Sequence, residues 1–168
     1  MVAFLYRMPS GIPGAANRLE GAKIEPGLLL AGFLPSGYGV AVAVDATSGR
    51  YRAIGAGDTA NSVAGLLVRP FPSGSMGPAT DILGNSQPNE KSIVDIMKSG
   101  YMTVLLGGVT AAFKGGPVFV RIATPSAGKP IGGFEAAADA TNTIALDNKS
   151  YWMGPADAQG NCEISFNS

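Results

Sequence analysis

Gly39-Val40-Ala41-Val42-Ala43-Val44 is the stretch on which the fold turns. Its period of two puts Val40, Val42 and Val44 on one face and Ala41 and Ala43 on the other, the spacing of a strand and not of a helix. Asp45-Ala46-Thr47-Ser48-Gly49 follows with turn chemistry, and Tyr51 to Ile54 is again strand-like, so the segment reads as a hairpin. Outward from it, Val63 to Arg69 is a strand stopped by Pro70 and Pro72. Tyr101 to Leu106 and Val118 to Ile122 are β-branched and aromatic, as strands prefer. Thr143 to Leu146, Tyr151 to Met153 and Cys162 to Phe166 complete about eight or nine short strands, the number and spacing expected of a sandwich or barrel. The 24 glycines and 12 prolines are spread along the chain, marking turns between short elements.

One segment reads differently. Pro88-Asn89-Glu90 opens like a helix, with Asn89 as N-cap. Ile93, Val94, Ile96 and Met97 repeat at helical spacing, and Lys98 and Gly100 suit a C-terminus. One short helix is therefore expected there. Ser73 to Gln87, just before it, is turn-rich and reads as a long surface loop.

The chain of 168 residues is one domain in size. Residues 1–27 have no period and carry Pro9, Pro13 and Pro26, so they read as an extended N-terminal arm, with 28–168 as a single β domain. Phe4, Tyr6, Met8 and Ile12 are the arm's apolar anchors, with Arg7 among them. The arm either folds back on its own domain or lies on a neighbour, and both would bury those anchors.

Charge is scarce. Only 14% of residues are charged, against roughly 25% in typical soluble domains. Such a surface is either neutral and rich in Ser, Thr, Asn and Gly, or partly covered by partners. Lys plus Arg balance Asp plus Glu at 12 each and form no basic block, which argues against nucleic-acid binding. No apolar run reaches the ~18 residues that span a bilayer, and the apolar start is cut short by Arg7 and Pro9, so neither membrane nor export is expected. The single cysteine, Cys162, forms no internal disulfide and reads as a small apolar filler, in keeping with synthesis in a reducing cytoplasm.

The chain has no histidine. That removes Ser-His and Cys-His pairs and most zinc sites, so no metal or cofactor is expected. Gly55-Ala56-Gly57-Asp58-Thr59-Ala60 mimics a dinucleotide fingerprint, but a strand follows it where a helix is needed. Ser126-Ala127-Gly128-Lys129 matches a nucleophile motif that requires a helix, yet Pro125 and Pro130 bracket it as a loop. Glu20, Glu25, Glu90, Glu135 and Glu163 include no pair that the sequence places in one cleft, so a carboxylate hydrolase is disfavoured. A free-standing β-sandwich binding module, of tail-fibre or carbohydrate-recognition type, is the alternative, because one of the neighbours Tyr151 and Trp152 must face outward.

The C-terminal third is the most distinctive text. Val120 to Asp139 reads VRIATPSAGKPIGGFEAAAD, and Gly154 to Asn167 reads GPADAQGNCEISFN. With Tyr6-Arg7-Met8-Pro9-Ser10-Gly11-Ile12-Pro13-Gly14 and Leu67-Val68-Arg69-Pro70-Phe71-Pro72, it resembles the structural cement, or capsid decoration, proteins of tailed bacteriophages. Cys162 stands where that family's motif would carry a small apolar residue. The resemblance implies an all-β, jelly-roll-like sandwich or barrel on the outer capsid surface of the virion. It implies a homo-oligomer, a dimer more readily than a trimer, that contacts several major capsid subunits and has no catalytic residues. The arm residues Phe4, Tyr6, Arg7, Met8 and Ile12 are then the expected capsid or subunit interface.

Overall fold

The computed structural model describes residues 11–70, 88–146 and 150–168. The architecture is all-β and sandwich-like, as expected. Ten strands join in one mixed sheet: β1 (Ala16–Leu28), β2 (Ala41–Val44), β3 (Tyr51–Ala53), β4 (Val63–Val68), β5 (Ile93–Gly107), β6 (Phe119–Arg121), β7 (Phe134–Glu135), β8 (Thr143–Ala145), β9 (Tyr151–Trp152) and β10 (Asn161–Asn167). The only helical turns among the described residues are 3-10 turns at Ala60–Ser62 and Ala140–Asn142.

The helix expected around Asn89 to Gly100 is a strand. Ile93 begins β5, which continues through Gly100 to Gly107. The apolar run satisfied both periods, as short runs do. Tertiary pairing decided between them. An isolated helix of about two and a half turns is marginal in water, whereas β5 gains ladders to β1, β4 and β10. The strand buries Val94 and Ile96 on one face and Met97 on the other, and leaves Ile93 77% exposed. Asn89 closes a turn instead: its carbonyl accepts the Ser92 amide and hydroxyl. The expected loop at 73–87 lies outside the described residues.

β5 organises everything else. Antiparallel β1 runs beside it from Leu28↔Ile93 to Ala16↔Met102. β4 pairs at Asp95 to Met97, β10 pairs from Ser99 to Leu105, and β7 adds a parallel pairing at Leu106 and Gly107. The path β3-β2-β4-β5-β7-β6-β8 follows from these contacts. A bridge between Leu29 and Tyr51 carries the chain beyond β1 back to β3.

The β2-β4-β5 layer is buried on both faces. Val40, Val42, Leu67, Val94 and Ile96 enter one core, with Leu29 and Tyr51. Ala41, Leu66, Val68, Met97, Met102 and Val104 enter the other, with Val120, Phe134, Trp152, Ile164 and Phe166. The alternating Val and Ala of the opening stretch are therefore both interior, and only Val44 at its end emerges. β10 alternates as a half-buried strand should, with Cys162, Ile164 and Phe166 inside. The Cys162 thiol is fully buried and donates to the Gly154 carbonyl at 3.0 Å.

Segments far apart in sequence meet where no side chain fits. Gly39 has φ 74, and a Cβ there would stand 2.7 Å from the Gly14 amide and 3.2 Å from the Thr103 carbonyl. Gly49 has a similar φ of 68 but faces open space. Gly49→Ala should cost only the left-handed backbone strain of about 1–2 kcal/mol, whereas Gly39→Ala should cost measurably more, because backbone must move. Urea midpoints of the two variants check this, and equal losses would contradict the packing argument.

Candidate functional site

Arg121 of β6 is 1% exposed, and its guanidinium is almost fully engaged. Nε donates to Glu135 Oε1 at 2.6 Å and Nη2 to Asp139 Oδ2 at 2.6 Å. Nη1 donates to the carbonyls of Ala123 and Thr124, each at 3.2 Å. Lys129 Nζ lies 3.0 Å from the other Glu135 oxygen. Two cations thus meet two carboxylates, and the buried charge is balanced, as burial demands.

This network fixes the turn from Thr124 to Lys129. Thr124 (φ 50) and Ala140 (φ 42) hold backbone conformations that non-glycine residues rarely adopt. Surrounding contacts hold Thr124 there: Arg121 grips its carbonyl, and its hydroxyl donates to Asn142 Oδ1 at 2.9 Å. Ser126 and Lys129 exchange backbone hydrogen bonds across the tip. Residues 124–128 are exposed, so a rigid turn projects from a buried base. In the Ser126–Lys129 motif the lysine is turned toward Glu135 and the segment is a turn, not the helix the nucleophile motif requires.

A second projection lies between β5 and β6. Gly107-Gly108 and Gly115-Gly116 flank it, buried Ala112 anchors it, and Val109 and Phe113 point into solvent at 104% and 61% exposure. Leu34, Leu19 and Ile12 are also exposed apolar side chains. Of the residues expected at the interface, Ile12 is 54% exposed, while Phe4, Tyr6, Arg7 and Met8 lie outside the described residues. Residues 16–27 of the expected arm run in β1 along their own chain's β5.

The carboxylates are engaged separately. Glu25 accepts from Tyr51 Oη at 2.5 Å and lies 3.4 Å from Lys98. Glu163 accepts from Asn17 and Arg18, Glu90 from the Gly32 amide, and Glu135 from Arg121. Asp58 of the dinucleotide-like stretch accepts from Arg52 and the Gly55 amide, so the carboxylate ties that turn together. No group of three or more His, Cys, Asp or Glu side chains converges for a metal among the described residues. Tyr151 faces outward at 41% exposure and Trp152 is buried, the division that strand alternation requires.

The Arg121 network was missed from sequence, since its partners lie 14 and 18 residues away. The available signal was an arginine inside the apolar strand Val118-Phe119-Val120-Arg121-Ile122.

Its electrostatics carry a sign. Burial pushes the Glu135 carboxyl up, but hydrogen bonds and charge from Arg121 and Lys129 outweigh it and hold the group below its ordinary value. The Arg121 hydrogen bond does the same for Asp139. Carboxyls depressed in the folded state stabilise it above their unfolded values, about 3.9–4.3, and that contribution is lost as pH falls through the folded values. Arg121→Met should cost about 3–5 kcal/mol by leaving buried Glu135 short of its partner. It should also flatten the fall in stability from pH 5 to pH 2. Denaturant melts across that range check both, and an unchanged pH profile would contradict the assignment.

Comparison with known proteins places the chain among capsid components. A search of curated proteins returns no match. A solved chain from "The capsid of Myoviridae Phage XM1" superposes with a TM-score of 0.66 at 18% identity, covering 99% of this chain and 96% of that one, a likeness of fold. The XM1 gp53 minor capsid protein family matches residues 1–166. The chain belongs to that family and is a capsid-associated structural protein of a bacteriophage virion.

Proposed function

We propose that this chain is a cement protein, which binds the outer surface of the assembled shell as a symmetric oligomer and ties neighbouring major capsid subunits together. The observation that carries the reading is the pairing of a rigid body with apolar side chains held out on short, glycine-bounded projections. Val109 and Phe113 stand in solvent on a loop pinned at both ends. Burying such side chains is worth roughly 1.5–3 kcal/mol each, and a preformed loop loses little entropy on docking.

The mechanism is multivalent. Each copy adds a modest contact, and linkage across several subunits gives avidity beyond any one of them. A component that binds only the expanded shell stabilises that state by mass action. Scarce surface charge keeps the cost of desolvating each contact low. Outward pressure from packaged DNA is then resisted by protein contacts alone, in line with a chain that carries no basic block.

The test mixes purified chain with expanded shells lacking it and images them by cryo-EM. Regular density at symmetry positions is expected. Val109→Ser with Phe113→Ser should lower occupancy severalfold while leaving the circular dichroism unchanged. A folded chain that binds no form of the shell would overturn the reading in favour of a free-standing binding module.

A further inference from the structure

The sheet path ends at β8, whose one strand neighbour among the described residues is β6. The Leu146 amide donates to the Val118 carbonyl at 2.9 Å and the Ile122 amide to the Asn142 carbonyl at 2.8 Å, so residues 142, 144 and 146 bond toward β6. Antiparallel pairing alternates, which turns the N–H and C=O of Ala145 away from β6 and onto the open edge. β6 keeps the same phase: Arg121, opposite Thr143, bonds the other way, to Gly132 and Gly133. Neither backbone group of Ala145 has a partner among the described residues.

Other margins of the sheet are guarded. β1 carries Pro26 and an irregular register against β5. β3 is met at Tyr51 by Leu29, and the Leu30 amide takes the Tyr51 carbonyl. β9 is met by Pro117, and the Trp152 amide donates to Gly116. β8 has no proline, lysine or bulge, the devices by which edge strands avoid partners. Its edge opens on two clefts of about 510 Å³ and 520 Å³, both lined by Ala145 and Leu146. Val63, Phe166 and Asn167 wall the first, and Pro117, Val118 and Tyr151 wall the second. The one charged side chain described on these linings, Asp58, is already bound by Arg52.

An edge amide and carbonyl with clefts beside them suit one kind of partner, a single extended polypeptide. Its backbone bonds to the strand while its side chains enter the clefts. Because Ala145 lines clefts instead of standing on a rim, a free segment reaches it and the edge of another folded sheet does not. We propose that β8 receives an extended, uncharged segment of a neighbouring shell subunit, which adds to the sheet as a short outer strand. Small or apolar side chains suit the neutral walls, where a charge would lose water and gain no partner. The main-chain bonds set the direction and register of the segment, and the clefts select its side chains. This inference rests on the cement reading and adds to it a main-chain contact, separate from the loop that carries Val109 and Phe113.

Hydrogen exchange reads the contact directly. In the free chain the Ala145 amide should exchange far faster than that of Ile144, which is bonded in the ladder, and on expanded shells it should slow by about tenfold or more. Ala145→Pro removes the outward hydrogen and no bond within the chain, so it should fold as wild type and bind shells about tenfold less tightly. Ala145→Gly keeps the amide and should bind as wild type does. If the proline variant does not fold, exchange in the wild-type chain still decides. A wild-type chain that binds shells while Ala145 exchanges as freely as before overturns the proposal and leaves the cement reading standing. So does a folded Ala145→Pro chain that binds undiminished, or a glycine variant that loses as much as the proline one. A wild-type chain that binds no shell overturns both.

Discussion

The structure depends on the pairing of β5. A strand of fifteen residues offers two edges and two faces, and here all four are used along most of its length. β1 takes one edge, β4 and β10 share the other, and β7 joins at its end. Buried backbone polar groups must be paired, so a central strand with cores on both faces has little freedom to move. Gly100, at φ 141 and with Ala22 close against it, lets β5 pass the irregular stretch of β1 without leaving the sheet. The same strand divides the two cores, because Val94 and Ile96 look one way and Met97, Met102 and Val104 the other.

That rigidity reaches the surface through specific residues. The Arg121 guanidinium ties the strand system to the turn at 124–129 and holds Thr124 in a conformation it would not choose alone. Strain of this kind persists only where its surroundings over-determine it. At the other projection, Gly116 packs against Phe113 and Gly115 donates to the Trp152 carbonyl at 2.7 Å, so exposed aromatic surface is displayed from a fixed base. Preorganised projections lose less entropy on binding than mobile ones, which matters most when each individual contact is small.

Much of this was legible in the sequence, and the reasons differ by segment. The hairpin from Gly39 to Ile54 was readable because turn chemistry and period two agree there. What was hidden is that Ala41 belongs to a second core, since burial on both faces leaves no polar alternation to read. β5 was misread because Ile93 to Met97 fits both periods and Gly100 imitates a helix stop, while the deciding ladders come from distant strands, Ala16 pairing with Met102 across 86 residues. β1 was obscured by Pro26, which together with Pro9 and Pro13 pointed to an arm. The Arg121 site was not readable either: an arginine in an apolar strand signals a buried partner without saying which of several distant carboxylates it is.

The absence of histidine and the low charge now take on a physical meaning beyond exclusion. A capsid component works where copies crowd together and where the same contact repeats many times. Surface charge would set up like-charge repulsion at every repeat, whereas apolar and neutral contacts tolerate repetition. The few charges present are therefore placed to decide geometry. Arg121 and Lys129 lock a turn, Arg52 and Asp58 lock another at 2.8 Å, and Arg18 joins β1 to β10 through Glu163 at 3.0 Å while stacking on Tyr101. Cohesion comes from apolar burial, which has no direction, and alignment comes from charge, which does. A structural component of a capsid draws on both, and this sequence keeps them on separate residues.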